Sequence, residues 1–321
     1  MTHPPCGLSD NPLFARLEGA RSVLVAGAGG GFDVYAGLPL ALALADGGRS
    51  VHLANLSFSR LDPGLEWVAP DVAAVGPDSP GHPSYFPERT LARWLEPRGL
   101  PPTVYAFRRT GARPLRDAYR ALVRRLGVDA IVLVDGGTDL LMRGDEAGLG
   151  TPEEDIASLA AVNGTRVPVR LVACLGFGVD AYHGVSHALF LENVAALERA
   201  GGYLGAFSLS RSSREGAAYL DAVAHAQAQT PEQPSIVNGS IAAAVRGDFG
   251  DVRFTPRTGG SELFVNPLMS LYFAFELEAV AAHCRYLDRV APTATYAELR
   301  AAVDAHRFTV QNPRPKRTFP H

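Results

Sequence analysis

The sequence predicts an α/β protein: a Rossmann-like parallel sheet covered by helices on both faces, with a mainly helical C-terminal part. Three observations predict it. Short runs such as SVLVAG (22–27) and AIVLVDGG (130–137) are apolar almost throughout rather than alternating, as strands buried on both faces must be. Segments of helical period stand between them, which is the crossover that parallel strands require. Glycines and acids follow the runs, at the carboxyl edge where such sheets bind ligands.

The elements follow in order. SVLVAG reads as the first strand and Asp33–Asp46 as a helix, with Pro39 either kinking it or delaying its start. VHLANLSF (51–58) reads as the second strand. Residues 62–102 are proline-rich and read as an irregular excursion with one short helix near Glu88–Leu95. TVYAFR (103–108) is a strand, and Pro114–Leu126 a helix whose first turn suits Pro114. AIVLVDGG is a buried strand ending in an acid. TPEED (151–155) opens a helix, with Thr151 as cap and Glu154 at the capping-box position. VPVRLVACLGFG (167–178) is the next strand, 182–202 a helix closed by glycine, and YLGAFSLS (203–210) fits a further strand. From Ser212 to Arg307 the pattern is mainly helical, with a β-like piece at 262–265. No repeat interrupts the chain, and residues 1–321 read as a single α/β domain.

Composition narrows the partners. Hydrophobic residues make up 47%, the net charge is −3 and no block of like charge occurs, so neither nucleic acid nor a membrane is the expected ligand. The densest apolar run, Leu38–Ala45, falls well short of the roughly 20 residues that span a bilayer. Cys6, Cys174 and Cys284 lack metal-type spacing, and the N-terminus lacks a signal-peptide pattern, so a cytoplasmic protein is expected. The expected partner is a small-molecule substrate; homo-oligomerisation stays open.

Three stretches carry the candidate chemistry. In GAGGGFD, Gly27, Gly29, Gly30 and Gly31 allow close backbone approach, and the helix opening at Asp33 aims its free amides at the same place. This predicts an anion-binding, cofactor-binding loop. It shares two glycines with the dinucleotide fingerprint, but Phe32 stands where the third belongs, and the second strand ends in Asn55 and Ser57 rather than an acid. In DGGTDLLMRGDEAG, Asp135, Asp139 and Asp145 are the candidate ligands for Mg²⁺, and Asp135 and Asp139 also the candidate acid–base pair. Gly136, Gly137 and Thr138 make the open turn beside them.

In CLGFGVDAYHGVSH, Gly176 opens a third ligand-edge turn, and His183 and His187 share a face if the stretch is helical. With Asp180 and Glu192 they admit a metal site; the favoured reading makes His183 a proton carrier and packs His187 on the sheet. Cys174 reads as a small apolar strand residue, and Asn238 and Asn266 as helix caps.

The motifs GAGGGFDV, VLVDGGTDLLMRGDEAGLGTPEED and LFVNPLMSLYF resemble an uncharacterised family from archaea and bacteria that shares a domain of unknown function (DUF1152-like). The resemblance spans nearly the whole chain. It implies one continuous unit and transfers no activity.

These readings predict an enzyme that binds a phosphorylated or nucleotide-like small molecule at the carboxyl edge of the sheet, with Mg²⁺-assisted hydrolysis or group transfer. Two alternatives stand beside it: a nicotinamide- or S-adenosylmethionine-dependent enzyme, and a non-catalytic nucleotide-binding or sensing protein.

Overall fold

A computed structural model describes residues 7, 9–256 and 263–318. The strands are β1 (Ser22–Gly27), β2 (Ser50–Ser57), β3 (Glu66–Ala69), β4 (Val72–Val75), β5 (Val104–Arg108), β6 (Ala130–Gly136), β7 (Val169–Leu175), β8 (Tyr203–Ser208), β9 (Gly250–Asp251), β10 (Phe264–Val265) and β11 (Leu271–Glu276). All but β9 and β10 join one sheet in the order β3-β4-β5-β2-β1-β6-β7-β11-β8. The central five, β5-β2-β1-β6-β7, are parallel. Counted among themselves they run third, second, first, fourth, fifth, the doubly wound order in which ligands sit where the winding reverses. That point lies between β1 and β6, beyond Gly27 and Gly136.

The strands alternate between two cores. Leu24, Ala26, Ile131 and Leu133 face α4 (Ala112–Leu126), α5 (Pro152–Asn163), α6 (His187–Arg199), α9 (Leu277–His283), α10 (Leu287–Val290) and α11 (Tyr296–Thr309). Val23, Val25, Val132 and Val134 face α1 (Pro12–Arg16), α2 (Asp33–Asp46), α3 (Pro87–Leu95), α7 (Arg214–Gln229) and α8 (Ile236–Arg246). Both faces are therefore covered, which is why the inner strands tolerate apolar residues at every position.

Pro39 lies inside α2 and does not delay its start. Proline leaves a helix carbonyl without its amide partner. Close to that place, the Tyr272 hydroxyl on β11 donates to the Ala36 carbonyl (2.6 Å).

One expectation about the sheet needs correction and one an addition. The 62–102 excursion is not wholly irregular: β3 and β4 form an antiparallel hairpin that extends the sheet beyond β5. Its turn places Asp71 at φ 66, a left-handed conformation unusual outside glycine, and the prolines around it hid the strands. The C-terminal part is mainly helical, as its pattern predicts, but it also contributes a strand to the sheet. LYFAFE forms β11, antiparallel to both β7 and β8. A six-residue buried run has no period that separates strand from helix, and only its aromatic content argued for a strand. β10 pairs with β9 in a small separate ribbon; position 262 of the β-like piece, like Cys6, lies outside the described residues.

Candidate functional site

A cleft of about 420 Å³ opens at the winding reversal, within the size range of small-molecule sites. The loop from Ala28 to Phe32 forms its floor. Four contacts pin this loop: the Ala28 amide on the Val134 carbonyl, the Ser158 hydroxyl on the Ala28 carbonyl, the Asn55 amide on the Gly31 carbonyl (2.8 Å), and the Asn238 amide on the Phe32 carbonyl. Gly30 and Gly31 take φ of 90 and 59, which side chains rarely adopt. Asn238 thus ties α8 to the loop and is no cap, whereas Asn266 does cap, accepting from the Leu268 amide.

Five buried carboxylates gather above this floor: Asp33, Asp135, Asp139, Asp155 and Asp180. Asp33, at the first turn of α2, accepts from the Gly29 amide at 2.6 Å. The loop amide expected to meet an outside anion therefore already meets an internal one. Asp135, next to last in β6, accepts from the Leu140 amide (3.2 Å). Asp139 accepts from the amide and hydroxyl of Thr151, and Asp180 from those of Thr138. Asp155 comes from the first turn of α5, is 3% exposed, and its Oδ1 has no hydrogen-bond partner. One oxygen from each of Asp33, Asp135 and Asp155 lies within 4.8 Å of the others.

The glycines make this crowding sterically feasible. A Cβ at Gly29 would stand 2.8–2.9 Å from carboxylate oxygens of Asp33 and Asp155. At Gly136 it would stand 2.9 Å from Asp33, and at Gly137 2.8 Å from Asp180.

The charge has no protein counterpart in the cleft. Among the described residues lining it there is neither lysine nor arginine, and His183 is the sole basic side chain. Burial raises the pKa of each of the five acids. Mutual repulsion raises Asp135 and Asp155 further, Asp139 acting on both, while the Thr151 hydrogen bonds hold Asp139 back. Acids in this state are poised to bind a proton or a cation.

Of the residues singled out in the sequence, the structure brings Gly29, Gly30, Gly31, Asp33, Asp135, Gly136, Asp139 and His183 to the cleft. Gly27 is a packing glycine instead, with Asn55 2.4 Å from where its Cβ would be. Gly176 likewise packs on Ile241 and Val179. Gly137 and Thr138 stand behind the acids, Thr138 holding Asp180.

Asp145 belongs elsewhere. Arg143, Arg285 and Arg314 surround its carboxylate, so its charge is already balanced and it drops out of the metal set. The histidine pair does not share a helix. His183 closes a 3-10 turn (Val179–His183), whereas His187 begins α6 and packs against Phe177 with its pKa lowered by burial.

The Thr151–Glu154 capping box does not form either. Thr151 donates to Asp139, and Glu154 accepts from the Tyr296 hydroxyl.

Sequence reasoning missed Asp155, Phe58, Tyr85, Tyr182 and the start of α8 (Ser235, Ile236, Val237), all of which line the cleft. For Asp155 a signal existed. The residues after it, IASLAAV, are apolar around the whole helix, so an acid in that first turn is buried too.

The family model described as Protein of unknown function (DUF1152) matches residues 24–310. No curated protein and no solved structure matches the chain.

Proposed function

We propose that this protein, which belongs to the DUF1152 family, binds a divalent cation such as Mg²⁺ in its acidic cleft and acts with it on a phosphorylated or nucleotide-like small molecule. One observation carries the reading: five buried carboxylates face a cleft that, among the described residues, no lysine or arginine lines. A phosphate brought there alone meets like charge in a low dielectric, which costs several kcal/mol. A hard dication with oxygen ligands removes that cost.

Asp33, Asp135 and Asp155 are the ligand set, because their oxygens converge and Asp155 Oδ1 has no other partner. Mg²⁺ bound there supplies the positive charge that draws in and polarises a phosphoryl oxygen. Asp139 and Asp180 hold the loop amides of Thr151 and Thr138 and so position the turn that carries Asp135. His183, at the wall of the cleft, holds or gives up the proton that hydrolysis or group transfer moves.

A second reading draws on the same charge. A cationic cofactor such as S-adenosylmethionine also satisfies the acids, and its sulfonium suits the aromatic lining of Phe58, Tyr85 and Tyr182. A nicotinamide dinucleotide, whose pyrophosphate is anionic and which brings no metal, suits it least.

Calorimetric titration of the purified protein with Mg²⁺ and Mn²⁺ tests the proposal. One site per chain is expected, lost in Asp155→Asn, with metal-dependent turnover in a panel of phosphorylated compounds. Absence of metal binding, with S-adenosylmethionine bound instead, overturns it in favour of the second reading.

A further inference from the structure

The acidic cleft has an aromatic end. Phe58 directly follows β2, lines the cleft and keeps 45% of its surface exposed. Phe58 shares the cleft with Tyr85 and the exposed Tyr182, so aromatic surface gathers there rather than being scattered singly. The Phe58 ring rests on the glycine loop: a Cβ at Gly30 would meet it at 2.6 Å and one at Gly31 at 3.3 Å. The Arg109 guanidinium stands over the same ring, 5.6 Å from its centroid, while it pairs with Glu154 and stacks on Tyr296. Arg109 lies outside the cleft lining and backs the Phe58 ring, whose exposed flat face is what a planar heteroaromatic ring stacks on.

Position in the fold points the same way. In a sheet of this winding, the nucleoside half of a bound nucleotide lies beyond the second strand, and the phosphates lie over the loop after the first. Phe58 occupies the former place. The loop leads from Phe58 past Gly30 and Gly31 to Gly29, whose Cα sits against Asp33 and Asp155.

We infer that the cleft takes a nucleotide whose base stacks on Phe58 and whose phosphates reach the Asp33–Asp135–Asp155 triad. The phosphate end rests on the proposed cation; the base end does not. The residue that would read the ribose is missing. Ser57 ends this strand in place of an acid and accepts from the Ser59 amide; Asn55, two residues before it, is fully buried and commits its amide to Gly31 and Glu88. The base is therefore held by its face and the sugar is left unread, so ribo- and deoxyribonucleotides bind alike.

The experiment compares ADP, 2′-deoxy-ADP, UDP and ribose 5-phosphate, each with and without Mg²⁺, on the parent protein, Phe58→Ala and Asp155→Asn. The parent is expected to bind the nucleotides with Mg²⁺ more tightly than ribose 5-phosphate. Phe58→Ala should weaken nucleotides roughly tenfold to a hundredfold, the loss of one stacked base. It should leave affinity for Mn²⁺ alone and for ribose 5-phosphate unchanged. Nucleotides binding no better than ribose 5-phosphate, or equally to Phe58→Ala, overturn the base site while metal binding still stands. If no metal binds, nucleotide affinity that falls in Phe58→Ala without Mg²⁺ retains the base site and removes the cation. Nucleotide binding under neither condition overturns it.

Discussion

One stretch of chain, DGGTDLLMRGDEAGLGTPEED, feeds two acidic clusters with opposite solutions to the same problem. Asp135, Asp139 and Asp155 go to the cleft, where they meet Asp33 and Asp180 and, among the described residues, no guanidinium lines the site. Asp145 and Glu146 go to a second buried cluster beneath the C-terminal segment. There Arg314 reaches both carboxylates at 2.7–2.8 Å, Arg285 and Arg143 close on Asp145, and Asn193 donates to Glu146. Burial alone would raise the Asp145 pKa, yet its hydrogen bonds with Arg143 and Arg314 and their charge bring it well below the ordinary carboxylate range. In the cleft the pKa values move the other way. Clustered acids in sequence therefore say little by themselves. An acid cluster balanced by its own arginines holds the fold together, and one without them is where the proposed cation would act.

The largest expected effect lies on the balanced side. Arg314→Ala strips Asp145 and Glu146 of their shared partner and should destabilise the protein by about 3–5 kcal/mol in denaturant unfolding. A change below 1 kcal/mol would mean that the two clusters do not differ in this way.

Glu88 sharpens the contrast as a buried acid with neither arginines nor an acidic crowd. Burial lifts its pKa to about 7 against an ordinary 4.5, its hydrogen bond from Asn55 offsetting part of the rise. A folded pKa above the unfolded one means that the folded state holds the proton more tightly. The stability this contributes is complete below about pH 4.5 and is lost as pH rises through about 7. Glu88→Gln should therefore gain on the parent across that window, by about 3 kcal/mol at most. Parallel stability curves from pH 4 to 8 would refute the shift.

The third effect tests the unbalanced side. Mn²⁺ at a hundred times its Kd should stabilise the parent by about 2.7 kcal/mol and Asp155→Asn hardly at all. Without metal, Asp155→Asn should melt higher than the parent, since it removes one of the mutually repelling charges. A lower melting point with metal binding intact would make Asp155 structural.

The smallest effect on stability belongs to His183. His183→Gln should leave unfolding within about 0.5 kcal/mol of the parent. It should lower turnover roughly a hundredfold on whichever phosphorylated substrate the panel identifies. Unchanged turnover would leave the proton to the acids of the cleft.

By itself, the sequence determined the layered α/β architecture, since uniformly apolar strands of this length are stable only between two helical layers. It also determined where the glycine loop and the Asp135 turn fall, because strand ends and helix starts are local events written in local residues. Pairing and partnership were decided only in three dimensions. The β3–β4 hairpin and β11 took their places by what they lie beside, not by their own period. Asp139 and Asp145 stand six residues apart. One turns toward Thr151 and the cleft, while the other meets Arg314, 169 residues further along the chain. A charge is fixed by the residue that carries it; whether it is already balanced depends on side chains that arrive from other parts of the fold, and Coulomb's law sums over distance in space rather than along the sequence.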